Sequence, residues 1–267
     1  MQGLYPPLFK IGIQNTLIYR WNFLIRLLFS LVPLFGLVYF WKAIYQSAGA
    51  QVQSYAYAHM IQYFLLCMLL DVLVTPTDDE WQISAEIRDG QLNMLLLRPI
   101  NHLLYRLTLF AASRIVNFSI IVIPLLIAFI PFHSLISLPH NPQPWICFAL
   151  STLLSALIQF LIAYSIAMLS FWILEISTIV FIFFSFEYFF AGHFFPLDLL
   201  PPALFKIILW TPFPYELWFP IAVLQERVTG PELTQGLLIQ FGWVILLYLF
   251  AKFLWKKGLV KYGAVGG

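Results

Sequence analysis

WICFALSTLLSALIQFLIAYSIAMLS, the stretch from Trp145 to Ser170, contains no charged side chain. About 20 mostly apolar residues in a helix are enough to cross the hydrocarbon core of a bilayer. Lipid offers the backbone no hydrogen bonds, so such a stretch must close its amides on itself as an α-helix. Five further stretches have the same character, at 23–41, 56–75, 107–131, 174–195 and 235–255. The whole chain agrees. Of its 267 residues 61% are hydrophobic and 10% charged, where a soluble domain carries about a quarter charged. The sequence therefore predicts an all-α integral membrane protein with six transmembrane helices, residues 1–267 forming a single transmembrane domain.

The fourth and fifth stretches nearly run together. A turn is expected between them at 172–177, around Glu175, and without it the count falls to five. Positive charge favours the turn, because short loops rich in Lys and Arg stay cytoplasmic. With a cytoplasmic N-terminus, Lys10, Arg20 and Arg26 lie inside. So do Arg88, Arg98, Arg106 and Arg114 between the second and third spans, and Lys252, Lys256, Lys257 and Lys261 at the end. Only Lys42, Lys206 and Arg227 fall outside. Both termini are then cytoplasmic. Met1 to Leu8 is short and uncharged, unlike a signal peptide, so the first apolar stretch is expected to be kept as a span.

Three segments are not read as spans. Residues 1–22 mix Leu8, Ile11, Ile13, Leu17 and Ile18 with Lys10, Gln14, Asn15 and Arg20, which suits an amphipathic helix at the inner interface or an extension of the first span. In residues 76–101, Thr77-Asp78-Asp79-Glu80 fits a capping box. A helix is expected from there to Asp89, Gly90 stops it, and Arg98-Pro99 breaks the apolar run Leu92 to Leu97. Residues 196–229 are too apolar for an ordinary outer loop and too punctuated by Pro196, Pro201, Pro202, Pro212, Pro214 and Pro220 to span. They read as short re-entrant or interfacial half-helices.

Chemistry-bearing motifs are few. The sequence lacks G-x-x-x-x-G-K-[ST], H-E-x-x-H, C-x-x-C and G-x-S-x-G, so neither a phosphate loop nor a familiar catalytic centre is predicted. The histidines lack metal-ligand spacing, Cys67 and Cys147 read as free thiols, and the net charge of +2 gives no footprint for nucleic acid. Charges inside spans are the functional flags. Asp71 sits near the inner end of the second span. Glu187, flanked by Phe186 and Tyr188, lies in the fifth, where a bare carboxylate costs about 3 kcal/mol to insert. It must pair, protonate or face a wet path. Asp71, Glu187 and Tyr188 are thus candidate intramembrane pathway residues. A lipid-modifying enzyme would also need convergent polar groups, and Asp71, Glu187 and His193 are its only candidates.

Glu86-Ile87-Arg88-Asp89-Gly90-Gln91-Leu92, with Leu95-Leu96-Leu97-Arg98-Pro99 after it, resembles the coupling signature of ABC transporter permeases of the ABC type-2 export class. Within that class the chain is similar to small six-span permeases. Phe194 to Pro201, Pro212-Phe213-Pro214-Tyr215, Phe219-Pro220 and the tail Gly258 to Gly267 match their pattern in order. The resemblance implies a type V exporter-like fold, with a connecting helix at 1–22, a coupling helix at 76–101 and outer re-entrant helices at 196–229. It implies that Glu86, Ile87, Arg88, Asp89, Gly90, Leu92, Arg98 and Pro99 couple the chain to a separate ABC ATPase, present in two copies. That subunit would bind ATP and Mg, and this chain would hold no cofactor. A second permease, identical or paralogous, would complete the path in a prokaryotic inner or plasma membrane, among lipids. The alternatives are the intramembrane enzyme and a scaffold that does not transport.

Overall fold

The computed structural model describes residues 5–265 apart from 19, 49–50, 53–54 and 77–78. The described chain is built of α1 (Tyr5–Ile18), α2 (Arg20–Ala48), α3 (Tyr57–Val74), α4 (Asp79–Arg88), α5 (Leu92–Leu96), α6 (His102–Phe129), α7 (Pro142–Met168), α8 (Ser177–Phe190), α9 (Pro202–Ile208), α10 (Trp218–Leu224) and α11 (Gly230–Val265). A minimal antiparallel pair, β1 (Gln51–Val52) and β2 (Tyr55–Ala56), joins α2 to α3 with Gln51 opposite Ala56. Among the described residues three stretches are long and apolar enough to cross a membrane, within Tyr57–Arg88, Pro142–Phe171 and Gly230–Tyr262. The helices α2 and α6 contain 29 and 28 residues, more than the length a bilayer requires.

The helix α7 is the axis of the bundle, packed by α3, α4, α10 and α11. Pro142 opens it at a position whose amide would have no helical partner anyway. Its Ser151, Ser155, Ala163 and Ala167 are fully buried, and such small side chains let neighbouring backbones approach in lipid. The helix α6 starts sharply because Pro99 disfavours helix before it, and Asn101 Oδ1 accepts from Leu104 N at 3.1 Å. Along α6 runs α1, crossing closely at Gly12, where an added Cβ would stand 2.8 Å from Ala112 Cβ.

Two expectations are adjusted. The stretch 174–195 yields a helix of only 14 residues, α8, about 21 Å long. Ala191-Gly192 ends it: Gly192 takes φ +99°, His193 N donates to Tyr188 O and Gly192 N to Phe189 O, the double bond of a left-handed helix stop. At the other extreme α11 has 36 residues, about 54 Å, well over the thickness of a bilayer core of about 30 Å. The turn expected around Glu175 is present, with Ser177 N donating to Glu175 Oε1 at 3.0 Å. The expected cap at Thr77 and Asp78 lies outside the described residues, as do Gly266, Gly267 and residues 1–4.

Residues 196–229 dip into the bundle. Tyr215 O accepts from Ser155 Oγ at 2.7 Å and from Gln240 Nε2 at 2.9 Å. Ser155 stands thirteen residues past Pro142 in α7, about 20 Å along the axis. Then α10, every residue buried, climbs back until Gln225 Nε2 reaches His59 O at 2.9 Å, beside the start of α3.

Candidate functional site

The segment of α4 and α5 is amphipathic in the strict helical sense. Glu80, Ile83, Ser84 and Ile87 are buried and recur at the spacing that shares one face. This face packs on α7 and on the short turn Leu169–Phe171 after it, with the Ser84 and Ser170 hydroxyls hydrogen-bonded. Gly90 ends α4 at φ +75°, a backbone state glycine adopts without strain. Leu92 is fully buried, while Met94, Leu96 and Leu97 are exposed, and so are Arg98 and Pro99. Arg88 and Asp89 are exposed and joined by a 3.1 Å ion pair.

Glu86 is placed differently from the neighbouring Arg88 and Asp89. Its carboxylate turns inward to the Arg106 guanidinium of α6, with His102 Nε2 at 3.6 Å. Ile87 and Leu92 likewise belong to the chain's own core. His102 is buried, shares a 2.9 Å hydrogen bond with Tyr164 of α7, and stacks flat on Trp255 of α11 at 4.4 Å. One cluster therefore ties α4 to α6, α7 and α11. Burial raises the Glu86 carboxyl, but hydrogen bonds and charge from His102 and Arg106 outweigh it and hold the group below its ordinary value. Burial lowers His102, and its contact with Glu86 offsets only part of that.

Deeper in the bundle the polar groups converge. Gln159 Nε2 of α7 donates to Glu187 Oε1 of α8 and, at 3.0 Å, to Glu216 Oε2 just before α10. All three side chains are buried, and Gln159 Oε1, Glu187 Oε2 and Glu216 Oε1 have no hydrogen-bond partner among the described residues. One turn back along α7, Gln240 of α11 bonds Ser151 and Ser155. Asp71 and His193 are brought together at 3.0 Å, and Tyr188 stacks on the His193 ring at 4.0 Å. Tyr188 also borders an open groove of about 710 Å³ between α4 and α8, walled by Trp81, Phe181 and Phe184. Glu187 is thus joined to Glu216 and Gln159, and Asp71 to His193.

Asp198 is a third centre. It accepts from Tyr55 Oη at 3.0 Å and Trp218 Nε1 at 3.3 Å, and pairs with Arg227 at 2.8 Å. The Arg227 guanidinium in turn lies 3.7 Å above the Tyr55 ring. Sequence reasoning missed Gln159, Glu216, Gln240 and Asp198. Gln159 and Gln240 were legible as amides inside apolar runs. Glu216 and Asp198 sit in the proline-broken segment 196–229, whose reading as short re-entrant half-helices did not say which bundle residues they would meet.

A family model described as ABC-2 family transporter protein matches residues 31–266, nearly the whole chain. The chain belongs to the ABC-2 transporter family. As an ABC-2 protein it is a multi-pass membrane component of a transporter, a permease and not a catalytic domain. Permeases of the ABC-2 family normally work with an ATP-binding subunit. No curated protein matches the chain.

Proposed function

We propose that this chain is the permease subunit of an ATP-driven exporter of a prokaryotic inner membrane. Two permeases, identical or paralogous, line the path, and two ATPase subunits bind ATP and Mg. Six spans are formed by α2, α3, α6, α7, the stretch 174–195 that contains α8, and α11, with both termini cytoplasmic. In this reading residues 1–22 are the connecting helix, 76–101 the coupling segment and 196–229 the outer re-entrant segment.

The observation that carries the proposal is how α4 is held. Its inner face is sunk against α7, and Glu86 locks it to α6 through Arg106, while Arg88 and Asp89 stay exposed at the tip. A push on that tip is therefore delivered to two long helices as bodies, as a transition between packed states requires. Arg88, Asp89, Arg98 and Pro99 make the contact with the ATPase. Glu86, Ile87, Gly90 and Leu92 position it. The groove beside Tyr188, with Glu187 and Asp71 behind it, supports a path along α8 with lateral entry from lipid.

The test is purification with the partner ATPase in lipid. Replacing Arg88 and Asp89 together by alanine should weaken ATPase binding about tenfold, the worth of one charged hydrogen bond, without changing the melting temperature. Unchanged assembly and unchanged lipid-stimulated hydrolysis would remove α4 from the mechanism. A chain that never copurifies with any ATPase would overturn the whole proposal.

A further inference from the structure

We infer that the cleft between the start of α6 and the second half of α11 is a binding site for an anionic phospholipid. The cleft holds about 660 Å³, a volume that takes a headgroup with the upper part of its acyl chains and far exceeds a single ion. Its walls divide by chemistry. Leu103 of α6 and Leu249 and Phe253 of α11 are apolar, while Lys252 and Lys256 supply two cations. Leu249, Lys252, Phe253 and Lys256 fall at the i, i+3, i+4, i+7 positions of one helical stripe. Their order along α11 puts Leu249 deepest and Lys256 nearest the lysine-rich end, so the lipid's tail and headgroup have matching surroundings along about 10 Å.

The other side adds a fixed positive end. The cleft includes the N-cap Asn101 and His102, which opens the 28-residue α6; of its leading amides, which lack partners within the helix, Leu104 N is capped by Asn101. A helix N-terminus favours an anion. Among the described residues the lining carries no acidic side chain, and the nearby Glu86 is occupied by Arg106. A zwitterionic lipid would leave the two lysines uncompensated, and a net anionic headgroup compensates them. The apolar walls distinguish a lipid from free phosphate. Basic pockets between spans at a membrane surface take such lipids.

The site has a consequence for the cluster behind it. His102 and Trp255, which stack on each other, both border the cleft. A bound lipid thus packs against the same residues that tie α4 to α6 and α11.

The experiment is native mass spectrometry of the full-length protein released from mixed phosphatidylcholine and phosphatidylglycerol. Wild type should retain phosphatidylglycerol preferentially. Lys252→Gln with Lys256→Gln should reduce that retention about 25-fold, at roughly a factor of five per lysine. Leu249→Trp, which fills the cleft and keeps both lysines, should lose the lipid too. Circular dichroism of each variant checks that it folds. Equal retention of the two lipids by wild type, or full retention in either variant, would overturn the inference. So would inorganic phosphate displacing the lipid at millimolar concentration, or a loss of self-association in the lysine variant, which would assign the cleft to a second copy.

Discussion

Single residues carry the strain and the charge of this molecule. Glu226 takes φ +55° at the end of α10, where Arg227 N donates to Ala222 O and Glu226 N to Val223 O. That stop aims Arg227 at Asp198, yet the left-handed state costs a side-chain-bearing residue about 1 kcal/mol. Glu226→Gly should therefore raise stability by about 1 kcal/mol or slightly less, read as a higher melting temperature in detergent. Acid acts at a different place. Both Glu86 and His102 are held below their ordinary values of 4.5 and 6.5. A group lowered by folding takes up protons more readily when unfolded, so its stabilisation is complete above the ordinary value and fades as pH falls through the lowered one. Stability should begin to fall below about pH 6.5 through His102, and further below about pH 4.5 through Glu86. Melting curves of His102→Gln should lose the upper part of that slope, and a profile identical to wild type would exclude His102 as its source.

At the scale of elements, packing rather than propensity fixes where helices meet. The contact of α1 with α6 depends on Gly12, since any side chain there collides with Ala112. Gly12→Leu should lift α1 from α6 at a cost of about 1–3 kcal/mol, the usual penalty of overpacking. Limited proteolysis would then cut the N-terminal segment faster while α7 and α11 stay protected. The lengths of α3, α6 and α7 were legible because a bilayer imposes one apolar period on each span. The short run of α8 was less so, because its end is set by Gly192 and by the Tyr63 hydroxyl that donates to Gly192 O at 2.7 Å, a long-range contact. The amphipathic face of α4 was legible in outline, and Gly90 as its stop was clear. The direction of Glu86 was not, since its partner Arg106 stands twenty positions away and looked like one more loop cation.

For the molecule as a whole, the long helices form a frame and residues 196–229 fill a gap in it. Hydrophobicity announced the frame, and the proline spacing announced that the filler is broken. Nothing local announced that Glu216 would meet Glu187, because the meeting requires the dip that carries Tyr215 down to Ser155. Phe29, Phe181 and Phe241, on α2, α8 and α11, are all exposed on the chain.

The brevity of α8 bears on how the chain enters the membrane during synthesis. A 14-residue helix carrying a carboxyl is a poor substrate for insertion on its own, the carboxyl alone opposing it by about 3 kcal/mol. Its polar partners arrive from both directions, Gln159 already made and Glu216 still to come. The segment is therefore expected to wait at the surface and enter together with α10, as a folded unit and not helix by helix. Nascent chains truncated after Ala191 should leave a cysteine placed at Ser185 open to water-soluble maleimide, and chains extended beyond α11 should protect it. Protection in the shorter chain would mean that the ribosome exit sequence, and not the tertiary partners, decides when α8 goes in.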